Sequence, residues 1–256
     1  MIVALVQWKT LWEDKEGNIK KMERILNRYQ HVDLYLFPEM SLTGFSSDTY
    51  KFMERDKETV HRVMDIAAKY DTAIGIGWTK AGGDMGENHY SIVTPDEEII
   101  DYAKIHPFSM SGEDMNTIGG RSLKMCRYKG FNIGVQICYD LRFPDVFLAA
   151  ADEADLMIVP ANWPAARSEQ FRCLLQARAI ENQVYVAGVN CGGCIGGIYY
   201  SGDSAIYNPE GTRCKPLLAD ANKNCEEERV IIYSIENDVK KFREAFPVKN
   251  DRVILK

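Results

Sequence analysis

The sequence predicts an α/β fold of two halves, each a mixed sheet with helices on its outer side. Three observations carry this. Short apolar runs alternate with segments of helical period, once before residue 80 and again after residue 144. Hairpin signals interrupt that alternation in the middle, so the strands are not all parallel. The halves also echo each other: LYLFPEM at 34–40 and LMIVPAN at 156–162 both read as an apolar run, a proline and a small or polar turn.

The elements follow in order. Ile2–Val6, Leu34–Phe37 and Ala73–Trp78 are short and bounded by polar or glycine-containing segments, the pattern of buried strands. Between them Ile19, Met22, Ile25, Leu26 and Tyr29 share one helical face, and Val60, Val63, Met64, Ala67 and Tyr70 share another. Strand–helix–strand order predicts parallel strands joined by helical crossovers. Tyr90–Val93 and Ile99–Ile105 around TPDEE predict an antiparallel hairpin, and Leu123–Tyr128 with Phe131–Cys138 around Lys129-Gly130 predict a second. Alternation resumes through Val146–Ala151, Leu156–Val159, Ser168–Asn182 and Val184–Asn190. A third hairpin is expected from Ser204–Tyr207 and Val230–Ile235. The tail Asn237–Phe246 reads as helix and stops at Pro247. No low-complexity linker divides the chain, so 1–256 reads as one domain, with the tail (about 237–256) packing on it or on a partner subunit.

Composition narrows the function. A formal net charge of −6 argues against a general nucleic-acid binder, which needs a surplus of Lys and Arg, but leaves room for a small anion in a local cationic pocket. No run approaches the ~18–20 apolar residues of a transmembrane helix, so no membrane partner is expected. MIVALVQWKT lacks the basic start and small-residue cleavage site of a signal peptide. Seven irregularly spaced cysteines read as reduced thiols, and the expected location is cytoplasmic.

Three residues stand out of place. Cys138 in GVQICYDLRFP closes a strand-like run just before a turn, where ligand sites of α/β folds gather and a backbone N–H can face substrate. Against this stands the rule that free cysteines are mostly buried and inert. A cysteine nucleophile needs a base, and none of His31, His61, His89 and His106 has flanks that mark it as one. Glu39 offers an alternative, directly after an apolar run and a proline, although a surface glutamate is the common outcome. Lys104 interrupts the apolar arm IIDYAKIHPF, where a snorkelling surface lysine is the ordinary expectation.

Together Glu39 in FPEMSLTGF, Lys104 in YAKIHPF and Cys138 in GVQICYDLRFP, in that order and at those separations, resemble the Glu–Lys–Cys triad of the carbon–nitrogen hydrolase (nitrilase) superfamily. The segments CYDLRFP, VPANWPAARSEQFRCLLQARAIENQVYVAGVN, YSGDSAIYNPEG and KKFREAFP are similar to its omega-amidase branch. The resemblance implies a four-layer α-β-β-α sandwich and an amidohydrolase. Its substrate would be a small dicarboxylic acid mono-amide, 2-oxoglutaramate or 2-oxosuccinamate. It implies a second glutamate at Glu113 in SMSGEDMNTIGG, no metal or organic cofactor, and a homodimer paired through the helices near the nucleophile turn. Deaminated glutathione, N-carbamoyl compounds or a nitrile are the alternative substrates within the same superfamily.

In that mechanism Glu39 acts as base, Lys104 supplies charge, and Lys104 with the Tyr139 N–H stabilises the oxyanion. Arg142 is the candidate clamp for a distal carboxylate, with a salt bridge to Asp140 or Asp145 as the alternative. Trp163 in ANWP is either an apolar pocket wall or core. After VAGVN, where relatives commonly carry Arg, this chain has Cys191-Gly192-Gly193-Cys194. A lone CxxC is a weak metal or redox signal, because structural zinc needs four ligands. The other rival is a catalytically silent binding protein that keeps the fold.

Overall fold

The computed structural model describes residues 1–46, 48–220 and 228–253. The chain opens with β1 (Ile2–Gln7), α1 (Lys15–Arg28), β2 (Leu34–Leu36), α2 (Thr49–Phe52), α3 (Glu58–Tyr70), β3 (Ala73–Gly82), β4 (Met85–Val93) and β5 (Glu98–Ala103). It continues through β6 (Met125–Tyr128), β7 (Phe131–Val135), α4 (Pro144–Ala150), β8 (Leu156–Ala161), α5 (Ser168–Asn182) and β9 (Tyr185–Asn190). β10 (Gly192–Ile195), β11 (Ile198–Ser201), β12 (Ala205–Tyr207), β13 (Leu218–Ala219), β14 (Arg229–Ser234) and α6 (Val239–Ala245) complete it.

Among the described residues, one sheet runs in the order β13-β14-β1-β2-β3-β4-β5 and the other β12-β9-β8-β7-β6. Both are mixed: β1–β2–β3 and β7–β8–β9 pair in parallel, and the flanking strands pair antiparallel. Side chains alternate across a strand, and β1 shows what each face meets. Val3 and Leu5 enter the core shared with Ile133, Val135, Leu156 and Ile158 of the other sheet. Ala4 and Val6 turn outward onto Ile19, Met22 and Leu26 of α1 and Val60 and Val63 of α3. Leu175 of α5 lies so close to β9 that a Cβ at Gly188 would sit 2.3 Å from it. Helix, sheet, sheet, helix is the four-layer α-β-β-α sandwich that was expected.

Two local expectations need correcting. Ser204–Tyr207 and Val230–Ile235 do not form a hairpin: β12 pairs with β9 in one sheet, and β14 pairs with β1 in the other. The intervening chain crosses between sheets, and turn residues alone carry no information on which edge a strand will find. β3 and β4 are longer than their apolar cores and form a hairpin through Gly82 to Met85. In the CGGC segment, read only as a weak metal or redox signal, Gly192, Gly193 and Cys194 lie in β10, which pairs with β11.

The first turn of α1 is capped by Asp14, whose carboxylate accepts from the Gly17 N–H at 2.9 Å. In the tail, α6 lies where expected. Its Arg243 guanidinium donates to the carbonyls of Ala151 and Ala154 just past α4 and of Gln183 just past α5. Among the described residues no helix is long and apolar enough to cross a membrane.

Candidate active site

The two echoed segments meet at one end of the sheet pair. β2 leads into Phe37, Pro38 and Glu39; β8 leads into Asn162. The Asn162 N–H donates to Glu39 Oε2 at 3.0 Å, and its Nδ2 donates to the Glu39 carbonyl at 2.7 Å. Met40, next in the chain, has φ of 44°, and the turn presses onto β3. A Cβ on Gly77 would lie 2.3 Å from the Met40 nitrogen, so glycine is required for that approach. Ser41 N–H then donates to the Gly77 carbonyl at 3.0 Å and fixes the turn.

Lys104 follows β5 and is anchored by its own N–H to the Asn88 carbonyl of β4 at 2.8 Å. Its side chain is 1% exposed, so it does not snorkel. The ammonium lies 2.8 Å from Glu39 Oε1 and 2.8 Å from Glu113 Oε2. Glu113 reaches it from a 3₁₀ turn (Glu113–Met115) entered through Gly112 at φ of 79°. The Phe108 N–H donates to Glu113 Oε2 at 2.5 Å. Burial opposes the lysine charge, but Glu39, Glu113 and then Cys138 outweigh it and hold Lys104 protonated.

Cys138 does not end a strand. β7 stops at Val135, and Cys138 begins a 3₁₀ turn (Cys138–Arg142) with φ of 46°. That left-handed backbone is uncommon for a residue with a Cβ and clusters at functional sites. Asp140, fully buried, holds the turn: it accepts from Tyr102 Oη at 2.8 Å, from the His106 N–H at 2.9 Å and from the Ile137 N–H at 3.0 Å. His106 thus serves the turn from outside and lies apart from the sulfur's partners. Burial first, and then the Glu39 carboxylate, push the Cys138 thiol well above its ordinary range, against the opposing pull of Lys104 and the Asn162 N–H. The sulfur therefore carries its proton at neutral pH.

Cys138 opens into a pocket of about 130 Å³ lined also by Lys104, Tyr139, Asn162, Trp163 and Tyr200. Arg142 and Arg167 line it as well. Arg142 bonds neither Asp140 nor Asp145. Its guanidinium lies over the Trp163 ring, 4.7 Å from the centroid, and donates to Gln170 Oε1 at 2.7 Å. Trp163 is both wall and core, 3% exposed and packed on Phe171. Arg167 lies over the Phe108 ring, 5.7 Å from the centroid, and among the described residues neither arginine has a carboxylate partner. The pocket therefore has an acid–amine–thiol cluster and, along the same lining, two arginines without a carboxylate partner among the described residues.

Residues 2–244 match the carbon-nitrogen hydrolase family.

The chain is a carbon-nitrogen hydrolase.

It is similar to the omega-amidase YafV of Yersinia enterocolitica, 33% identical over 97% of this chain and 95% of that protein. It is 26% identical to the 2-oxoglutaramate amidase of Bacillus subtilis over 97% of this chain and 96% of that one. Its fold superposes on a CN-hydrolase superfamily protein of Xanthomonas campestris, solved with an arsenic adduct in the active site. The TM-score there is 0.89 at 31% identity, covering 100% of this chain and 98% of that one. Saccharomyces cerevisiae Nit3 of the nitrilase superfamily gives 0.82 at 25% identity, over 99% and 97% of the two chains. Membership in the family and its fold makes this hydrolase an enzyme acting on amides.

All seven expected site residues gather at this pocket: Cys138, Lys104, Tyr139, Arg142 and Trp163 line it, and Glu39 and Glu113 lie behind Lys104. Sequence reasoning missed Asn88, Asn162 and Arg167. Asn162 could have been found beside Trp163 in ANWP at the end of the echoed run; Arg167 could have been found as a charge just before the α5 pattern. Asn88 had no such signal. The CxxC pair divides in the fold: Cys191 is buried with its thiol donating to Asn162 Oδ1 at 2.7 Å, while Cys194 is exposed on β10. Cys225 lies outside the described residues.

Proposed function

We propose that this hydrolase cleaves the terminal amide of a small dicarboxylic acid mono-amide, 2-oxoglutaramate or 2-oxosuccinamate, to the acid and ammonia through a thioester on Cys138. The observation that carries this reading is the pairing, in one small pocket, of Cys138 and its buried Glu39–Lys104–Glu113 cluster with two arginines that have no carboxylate partner among the described residues. A dicarboxylic mono-amide brings one amide for the thiol and one carboxylate for the guanidinium groups. The similarity to an omega-amidase and a 2-oxoglutaramate amidase supports the same substrate class.

A protonated thiol beside a carboxylate calls for general base catalysis. Glu39 takes the Cys138 proton as sulfur attacks the carbonyl carbon. Lys104 Nζ and the Tyr139 N–H, which has no acceptor among the described residues, hold the oxyanion. Glu39 returns the proton to the amide nitrogen, the C–N bond breaks and ammonia leaves. Water then gives a proton to Glu39 and its oxygen to the thioester carbon; the C–S bond breaks and the sulfur is reprotonated. Glu113 keeps Lys104 charged and placed throughout. Trp163 carries Arg142 on its face. The reading includes a homodimer, supported by the apolar side chains of Ile180, Phe246 and Val248 exposed near α5 and α6.

The test is a kinetic panel of 2-oxoglutaramate, 2-oxosuccinamate, deaminated glutathione and N-carbamoyl amino acids, following ammonia release. The first two are expected to dominate. Arg142→Ala and Arg167→Ala are each expected to raise KM about tenfold or more with a smaller change in kcat. A KM unmoved by both substitutions, or an adduct from a slow amide mapped by mass spectrometry to a cysteine other than Cys138, ends the proposal.

A further inference from the structure

We propose that Asn88 is a positioning residue for the reaction: its amide clamps Glu39 and Glu113 together and confines the moving proton to Glu39 Oε2. The proposal rests on the amidase reading above and adds a residue to it.

Asn88 sits on β4 and is 1% exposed. One nitrogen, Nδ2, donates to Glu39 Oε1 at 2.8 Å and to Glu113 Oε1 at 2.9 Å. Its Oδ1 is buried and has no hydrogen-bond partner among the described residues. An amide can turn over to exchange donor and acceptor, and a buried acceptor left unpaired is costly. Here the turned amide would aim its oxygen at two carboxylates. Charge therefore pins the orientation, and the orphaned oxygen is what that orientation costs.

The consequence is a closed set of donors. Glu39 Oε1 accepts from Lys104 Nζ and Asn88 Nδ2. Glu113 Oε2 accepts from Lys104 Nζ and the Phe108 N–H, and its Oε1 accepts from Asn88. None of these donors can accept a proton in return. A proton on Glu39 Oε1 or Glu113 Oε2 would displace the Lys104 ammonium and face another N–H, and one on Glu113 Oε1 would displace its Asn88 donor. Glu39 Oε2 differs in being bound to neither Lys104 nor Asn88: among the described residues it accepts from the amides of Asn162, the N–H at 3.0 Å and Nδ2 at 3.5 Å, and that N–H also faces the Cys138 sulfur. The proton leaves Cys138 Sγ for this oxygen as the C–S bond forms and the carbonyl electron pair moves to oxygen. It leaves for the amide nitrogen as the C–N bond breaks. Asn88 touches neither substrate nor sulfur; it acts through the two carboxylates.

The test compares Asn88→Leu, close in volume but without a donor, and Asn88→Ser, with a single hydroxyl donor, against the native enzyme. Two readouts run across pH: kcat/KM for 2-oxoglutaramate, and the rate of Cys138 alkylation by iodoacetamide. Loss of donors to a carboxylate favours its protonated form, so the acidic limb of both profiles is expected to move up by about one pH unit in Asn88→Leu. Asn88→Ser should move it by roughly half as much. kcat at neutral pH should fall about tenfold or more, with KM within about twofold. A rate lowered equally at every pH, with both limbs in place, would reduce Asn88 to packing and overturn the proposal; so would native kinetics. If thermal melting shows that Asn88→Leu does not fold, Asn88→Ser reads the same limb. If the native enzyme hydrolyses no amide, the amidase reading falls, and the alkylation limb still decides the role of Asn88.

Discussion

At Lys104 a full charge sits where only neutral side chains are usually found, and its two carboxylates make that tolerable. Taking an ion out of water costs several kcal/mol unless close partners replace the lost hydration. Lys104 has both partners at 2.8 Å, and the three side chains are between 0% and 3% exposed. Breaking such a cluster from one side leaves an uncompensated charge. Glu113→Ala is therefore expected to lower unfolding free energy by roughly 3–5 kcal/mol, measured by urea titration. Glu113→Gln, which keeps an oxygen for one donor, should lose less. Equal loss from both would mean that shape rather than charge holds this corner. Cys138 shows a second residue-scale tension, because the left-handed turn that presents the thiol also buries it. Burial suppresses the thiolate, so the proposed attack by this sulfur calls on Glu39 as its base.

Elements carry these residues to one place through close backbone contacts. The turn bearing Glu39 lies against β3 only because Gly77 has no side chain. Gly77→Ala is expected to displace Met40 and Glu39 and to cut kcat by about tenfold or more, with a lower melting temperature and little change in KM. Wild-type kinetics in that variant would show that the turn has room to shift. The same contact explains what could be read in advance. Glu39 and Cys138 were legible as a charge and a thiol at the end of an apolar run, Lys104 as a charge interrupting one, and the strands from short apolar runs and their boundaries. Asn88 was not, because a strand interior gives an asparagine no distinguishing pattern until its partners across the sheet are known. The position of Cys138 three residues past β7, and the separation of β12 from β14 into different sheets, were also invisible. Local apolarity does not record where hydrogen bonding stops or which edge a strand joins.

The whole molecule places its chemistry on the seam between the two sheets. Glu39, Asn88 and Lys104 hang from one sheet; Cys138 and Asn162 follow strands of the other. Asp140 ties the two, accepting from Tyr102 of β5 while it holds the Cys138 turn. The proposed mechanism then requires both sheets and the core they share. Loss of amidase activity in urea is expected to coincide with the tryptophan fluorescence and far-ultraviolet circular dichroism transitions, in one step. Activity lost well before either would show that the seam opens first. The sequence alone determined the alternation of strands and helices, marked Glu39, Lys104 and Cys138 as candidates in that order, and showed no charge surplus of the kind that nucleic acid demands. Only the tertiary structure decided that Asn88 and Asn162 close around the carboxylates, that Arg142 pairs with Trp163 rather than with Asp140 or Asp145, and that Arg167 joins it. Hydrophobic period fixes which face of an element is buried; which polar groups then meet depends on sheet order and turn geometry, which arise only when the two halves pack together.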